Sequence, residues 1–287
     1  MTCFKIIRIR EGVPQVPENN RQSWIVDAHI HFVQYSREDK ELLLERFAEA
    51  GGRTVVAVST DLASSQETRE LASRYPKQVH PAYGYHPEQP VPPEAEIERL
   101  LQWIRERHQA GERFAIGEVG LPYYNRTDAE ANGRPFDETP YLSLLGRFAA
   151  LAAELDLPIV LHAIYEDGGK ACEIVQKHGV QKAHFHWFKG GQAVVKRLMD
   201  AGYMISISPD VAYEPEIREL VRQYPLELMM SETDGPWPFE GKYKGQQTEP
   251  AMVRDVVAEI AEIKNLSYEI VADALFRNAS RMYGLKG

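Results

Sequence analysis

His29 and His31 stand two residues apart near the end of the apolar run Trp24-Ile25-Val26-Asp27-Ala28-His29-Ile30-His31-Phe32. Side chains on a strand alternate between faces, so a strand here presents both imidazoles side by side, placed to hold one metal ion. Four later apolar runs also end in a metal-competent residue. Glu118 lies in Phe114-Ala115-Ile116-Gly117-Glu118-Val119-Gly120, where a carboxylate is expensive to bury unless a cation meets it. A buried Arg or Lys would meet that need as well as a metal. His162 closes Pro158-Ile159-Val160-Leu161-His162-Ala163. His186 comes near the end of Lys182-Ala183-His184-Phe185-His186-Trp187-Phe188. His184 shares its face one layer deeper; either could be the ligand, and His186 is favoured because it is nearer the C-terminal end. Asp234 closes Met229-Met230-Ser231-Glu232-Thr233-Asp234. An Asp there could cap a helix, but the Gly235-Pro236-Trp237-Pro238 that follows does not read as a helix start.

Together these are four histidines and two carboxylates with no cysteine, a donor set for two divalent ions of the Zn, Mn, Co or Mg kind. Two such ions can clamp both sides of a hydrolytic displacement. Parity adds Asp27 on the face of His29 and His31, and Glu232 on the face of Asp234. Buried carboxylates behind metal-binding histidines accept the other ring N–H and fix the tautomer. Glu232 is assigned that role, and Asp27 either shares it or holds the barrel floor.

The elements that must position these residues alternate regularly. Candidate strands lie near 24–32, 54–59, 79–86, 114–121, 158–163, 182–188, 203–208 and 226–234. Helical patterns fall near 38–50, 65–75, 94–109, 140–156, 168–178, 191–201, 215–223 and 249–263, with a further helix over 267–284. Gly52, Gly111, Gly179 and Gly202 sit where helices should stop. Eight strand-helix units in 287 residues predict a (β/α)8 TIM-type barrel over 24–287, with residues 1–23 as an extension outside it. A doubly wound open sheet would carry a Gly-rich phosphate loop after its first strand, and Asp27-Ala28-His29 is not one. Residues 122–135 read as a βα loop longer than usual, on the face where barrel enzymes keep their active sites.

Bulk properties narrow the function. A net charge of −9 argues against a broad basic surface and against a stable nucleic-acid complex. It leaves room for a nucleic-acid substrate whose phosphates are neutralised by bound cations. The two cysteines, Cys3 and Cys172, form neither a disulfide framework nor a thiolate cluster. No apolar run of about 18 residues marks a membrane span, and the charged N-terminus lacks a secretory core. The expectation is a soluble cytoplasmic protein without a membrane partner.

The same residues, in this order, resemble the TatD family of metal-dependent hydrolases within the amidohydrolase-type barrels. The matching pieces are Asp27-Ala28-His29-Ile30-His31, Gly84-Tyr85-His86-Pro87, Gly117-Glu118-Val119-Gly120-Leu121, Leu161-His162, His186-Trp187-Phe188-Lys189-Gly190, Thr233-Asp234-Gly235-Pro236 and Thr248-Glu249-Pro250. The resemblance implies His29, His31 and Asp234 on one ion, His162 and His186 on a second, and Glu118 bridging. It places His86 at the substrate. It also implies a deoxyribonuclease-like activity, 3'-5' exonucleolytic in character, with Asp234 taking a proton from the attacking water. Three positions depart from the family pattern. Ala163-Ile164 replaces the usual Cys-Arg, Pro122 replaces an Asp, and Lys189 stands where a small hydroxyl residue is common. Lys189 and the tyrosines Tyr123 and Tyr124 are therefore candidate contacts for a phosphate or a small carboxylate. The alternatives are a hydrolase of a lactone, amide or phosphotriester, and a metal-binding barrel without catalysis.

Overall fold

In a computed structural model, residues 24–285 are described, and the expected extension over residues 1–23 lies outside them. Eight parallel strands follow one another in sheet order: β1 (Ile25–Ile30), β2 (Gly52–Ala57), β3 (Val79–Tyr83), β4 (Ala115–Gly120), β5 (Ile159–His162), β6 (Ala183–Phe185), β7 (Met204–Ile207) and β8 (Met229–Ser231). The sheet curls into a nearly closed barrel. Its seam is drawn together past the end of β8, where Asp234 N–H donates to the His29 carbonyl (2.9 Å) and His31 N–H to the Gly235 carbonyl (2.8 Å). The seam is therefore built from the same segments that carry three of the expected ligands.

The helices α1 (Arg37–Glu49), α2 (Leu62–Arg74), α3 (Glu94–Gln109), α4 (Tyr123–Ala131), α5 (Thr139–Leu155), α6 (Glu166–Lys177), α7 (Gln192–Ala201), α8 (Pro215–Gln223) and α9 (Val253–Lys264) surround the barrel, and α10 (Tyr268–Tyr283) follows. Local chemistry sets their starts. Asp61 accepts from the Ser64 N–H (2.7 Å) while the Ser64 hydroxyl accepts from the Asp61 N–H (2.9 Å), a reciprocal cap on α2. Two apolar layers result. The larger lies between sheet and helices, with Phe47, Phe148 and Phe185 fully buried in it. The smaller fills the barrel with Val26, Val56, Ala115, Val160 and Met230, and Met282 and Tyr283 of α10 join it.

Two expectations need correction here. Gly52 does not end α1 but opens β2; the left-handed residue after that helix is Gly51 (φ 90°). A side chain at Gly52 would collide with the ring of Phe47, which explains the glycine there. Residues 122–135 are not simply a long loop, because 123–131 form α4. Arg126 anchors that helix by pairing with Glu166 (2.8 Å) and the buried Asp167 (3.0 Å).

Candidate metal centre

The expected ligands converge at the C-terminal mouth of the barrel. His29 lies within β1 and His31 one residue past its end, and both Nε2 atoms reach the same two oxygens. Glu118 Oε2 lies 3.1 Å from His29 and 3.2 Å from His31, and Asp234 Oδ1 lies 3.3 and 3.4 Å from them. The other oxygen of Glu118 faces a different group. Its Oε1 is 2.9 Å from His162 Nδ1, 2.8 Å from His186 Nε2 and 3.2 Å from His86 Nε2. One fully buried carboxylate thus stands between five imidazoles, with a separate set at each oxygen.

These atoms suit a cation better than they suit one another. His29 Nε2, Glu118 Oε2 and Asp234 Oδ1 are buried, yet none takes part in an aligned hydrogen bond among the described residues. Buried polar atoms without partners call for an explanation, and convergent nitrogen and carboxylate lone pairs point to a metal ion. The sets His29–His31–Asp234, Glu118–His162–His186 and His31–His86–Glu118 each bring their donor atoms within 4.8 Å of one another. His86 therefore stands as near Glu118 as the expected ligands do, although the resemblance places it at the substrate.

Proton affinities follow from this crowding. Burial works against charge on His31 and His162, but the Glu118 carboxylate, aided by Asp234 and Glu88 respectively, lifts each to about 9. His29 is raised well above the usual histidine range by Glu118 and Asp234 against the same penalty. His186 goes the other way, down to about 4, through burial and the charge of His29, whose ring stacks on it at 3.7 Å. Burial pushes against ionisation of Glu118 and Asp234, yet the surrounding imidazoles hold both below the ordinary carboxylate range.

The supporting carboxylates act through the backbone. Glu232 Oε2 lies 3.9 Å from His186 Nδ1, beyond hydrogen-bond reach, so it does not fix that ring as expected. Its Oε1 accepts from the Trp187 N–H at 2.6 Å instead. Trp187 has φ of 37°, strained for a bulky residue, and Glu232 helps hold this turn directly after His186. Asp27 accepts from the N–H groups of His29 (3.3 Å) and Thr233 (3.0 Å) and from the Thr233 hydroxyl. It ties β1 to the segment that presents Asp234, itself at φ of 49°.

A cavity of about 680 Å³ opens above the cluster. Tyr124 lines it, as expected, with half of its surface exposed. Lys189 does not. Its ammonium sits 3.2 Å from Asp210 and over the Trp187 ring, and it lines a different cavity beside α8. The reason is Asp210, a buried carboxylate 21 residues downstream whose proximity no local pattern announces. Glu88, Trp187 and Trp237 line the mouth without having been singled out. Glu88 follows His86 by two residues, and Trp187 and Trp237 flank His186 and Asp234, so adjacency to the ligands was the available signal. A close approach below them needs a glycine. A Cβ on Gly84 would lie 2.7 Å from the Glu118 carbonyl oxygen.

Comparison with known proteins agrees with this geometry. The family model described as "TatD related DNase" matches residues 26–284. An uncharacterized metal-dependent hydrolase of Haemophilus influenzae is 35% identical over 91% of this chain and all of its own length. The human protein named deoxyribonuclease TATDN3 is 30% identical over 90% of this chain and 94% of its own. The crystal structure of YjjV, a TatD homologue from Escherichia coli, superposes with a TM-score of 0.77 at 25% identity, covering 91% of this chain and 98% of that one. With the barrel, the ligand-rich mouth and a family match over nearly its whole length, this chain belongs to the TatD family of metal-dependent hydrolases.

Proposed function

We propose that this chain cleaves phosphodiester bonds at nucleic-acid ends, using two divalent ions held on either side of Glu118. The observation that carries this reading is the division of donors between the two oxygens of that one carboxylate. His29, His31 and Asp234 would hold one ion and His162 and His186 the other, with Zn, Mn, Mg and Co all compatible with the donor set. Bound there, the ions supply a polarised water at neutral pH and charge to offset that on the substrate oxygens. Asp234 lines the cavity and is kept ionised by its histidine neighbours, so its carboxylate can take the proton of the attacking water and return it to the leaving oxygen. Four positive charges from two ions exceed the two negative charges of Glu118 and Asp234, which suits an anionic scissile group without help from an arginine.

The rim supports a nucleotide substrate. Tyr124 and Trp237, exposed by 50% and 57%, offer aromatic faces at the mouth, and bases stack on such faces whatever their sequence. No stable nucleic-acid complex is part of this reading, since the chain carries a net charge of −9.

A second reading has its own observation. No lysine or arginine lines the cavity among the described residues, which also suits an uncharged lactone or amide. The test is protein loaded with Mn, Zn or Mg and presented with single-stranded DNA, a chromogenic phosphodiester and a lactone and amide panel. Phosphodiester turnover that falls by about 10²–10⁴ in Asp234→Asn, with metal still bound, supports the first reading. Hydrolysis confined to the lactone and amide panel supports the second, and a metal-loaded protein inert to every substrate indicates a binding barrel.

A further inference from the structure

The mouth of the cavity holds one charged side chain that the metal reading leaves unused. Apart from the histidines, Glu118 and Asp234, the one carboxylate, lysine or arginine lining it among the described residues is Glu88. Its carboxylate does not hang free. Oε1 accepts the N–H of Tyr124 (2.7 Å) and Oε2 that of Asn125 (2.8 Å). Both amides belong to the first turn of α4, where a helix leaves its N–H groups without internal acceptors and favours an anion. Glu88 Oε1 also lies 3.5 Å from His162 Nε2, on the side of the ring away from Glu118.

Two consequences follow for a substrate. The helix end that would otherwise receive a substrate anion is already filled by the chain's own carboxylate. A fixed negative charge therefore sits beside a residue assigned to hold the second ion. An ionised carboxylate offers about four acceptor positions, and the two amides use two of them. Glu88 can therefore take a hydrogen bond from a hydroxyl, while a phosphate at the same place meets like charge with no lysine or arginine to relieve it.

We propose that Glu88 reads the end of the strand, accepting a hydrogen bond from the free 3'-hydroxyl of the terminal nucleotide and repelling a phosphate there. This rests on the nucleic-acid reading above and deepens it. An enzyme that removes terminal nucleotides must tell an end from the interior, and the chemical difference is a hydroxyl against a phosphate on the 3'-oxygen. The scissile phosphate is joined through the 5'-oxygen to the same sugar, so a group beside a metal ligand is placed to read that sugar's far oxygen.

The experiment uses the full chain loaded with Mn and three oligonucleotides of one sequence: 3'-hydroxyl, 3'-phosphate and circular. Wild type should cleave the hydroxyl end at least about tenfold faster than the phosphate end and leave the circle intact, a gap of the size like-charge exclusion commands. Glu88→Gln removes the charge and keeps one carbonyl oxygen, which can serve the Tyr124 or the Asn125 amide but not both, and the preference should collapse toward unity. Glu88→Asp keeps the charge and should keep the preference. Equal cleavage of both ends by wild type, or an unchanged preference in a folded, metal-loaded Glu88→Gln, overturns the proposal. If wild type cleaves no oligonucleotide yet hydrolyses a lactone or amide, the nucleic-acid reading fails and takes this one with it.

Discussion

At the mouth of the barrel, His29, His31 and His162 face ionised carboxylates and are pulled toward the protonated form. Deeper in the barrel, His184 and His80 are also buried and held neutral. His184 is fully partnered, with Tyr283 Oη 2.5 Å from its Nδ1 and Ser206 Oγ 2.6 Å from its Nε2, and Ser206 in turn donates to Glu232 (2.6 Å). His80 is pressed down to about 4 by burial and the nearby Arg113 charge. One residue type thus meets two environments in one barrel. Where carboxylates crowd the imidazoles the rings are drawn toward charge and their donors converge as for a cation; where hydroxyls satisfy the ring, as at His184, it is structure.

The sharpest way to break this contrast is to remove the carboxylate that divides the mouth. Glu118→Gln should lower turnover by at least about 10³, equivalent to some 4 kcal/mol in the barrier, and should lower metal content measured by mass spectrometry. Full metal content with normal rates would remove Glu118 from the centre. A smaller effect is expected from Glu232→Gln, which weakens the support beneath Trp187 and His186. Metal affinity by calorimetric titration should fall by about 10- to 100-fold, the usual cost of losing a supporting partner. An unchanged affinity would make Glu232 purely structural.

The two ends also differ in how they respond to pH. For His80 the folded pKa is depressed, so the stability it contributes is present above the unfolded value near 6.5 and is lost as pH falls toward about 4. The full effect is of order 3 kcal/mol. Acid unfolding followed by circular dichroism should be less steep in His80→Gln, with activity at pH 7.5 retained. At the mouth the sign reverses. His31 and His162 of the metal-free protein contribute stability below pH 6.5 that fades as pH rises through about 9, so cations displace protons more readily across that window. Metal affinity that fell with rising pH there would contradict the assignment.

Much of this was legible before any coordinates. Alternation placed His29 with His31, and the runs that carry Glu118, His162 and His186 at or near their ends delivered those residues to the mouth. What local patterns could not reveal was made by distant partners. The cap on α4 is Glu88, 35 residues before the helix begins at Tyr123, so residues 122–135 read as a loop. Lys189 looked like a cation for the substrate until Asp210 took it. Asp234 does not end a strand, since β8 stops at Ser231, but reaches the site through a left-handed turn bonded to His29. Glu232 was recognised as a supporting residue, although it reaches the site through the Trp187 amide, which points at it only once Trp187 adopts its strained turn.

Anomalous diffraction from crystals grown with Mn tests the central claim most directly. Two peaks flanking Glu118 are expected, one against His29, His31 and Asp234 and the other against His162 and His186. A single peak, or ions whose nearest protein atoms exclude Glu118, would contradict it.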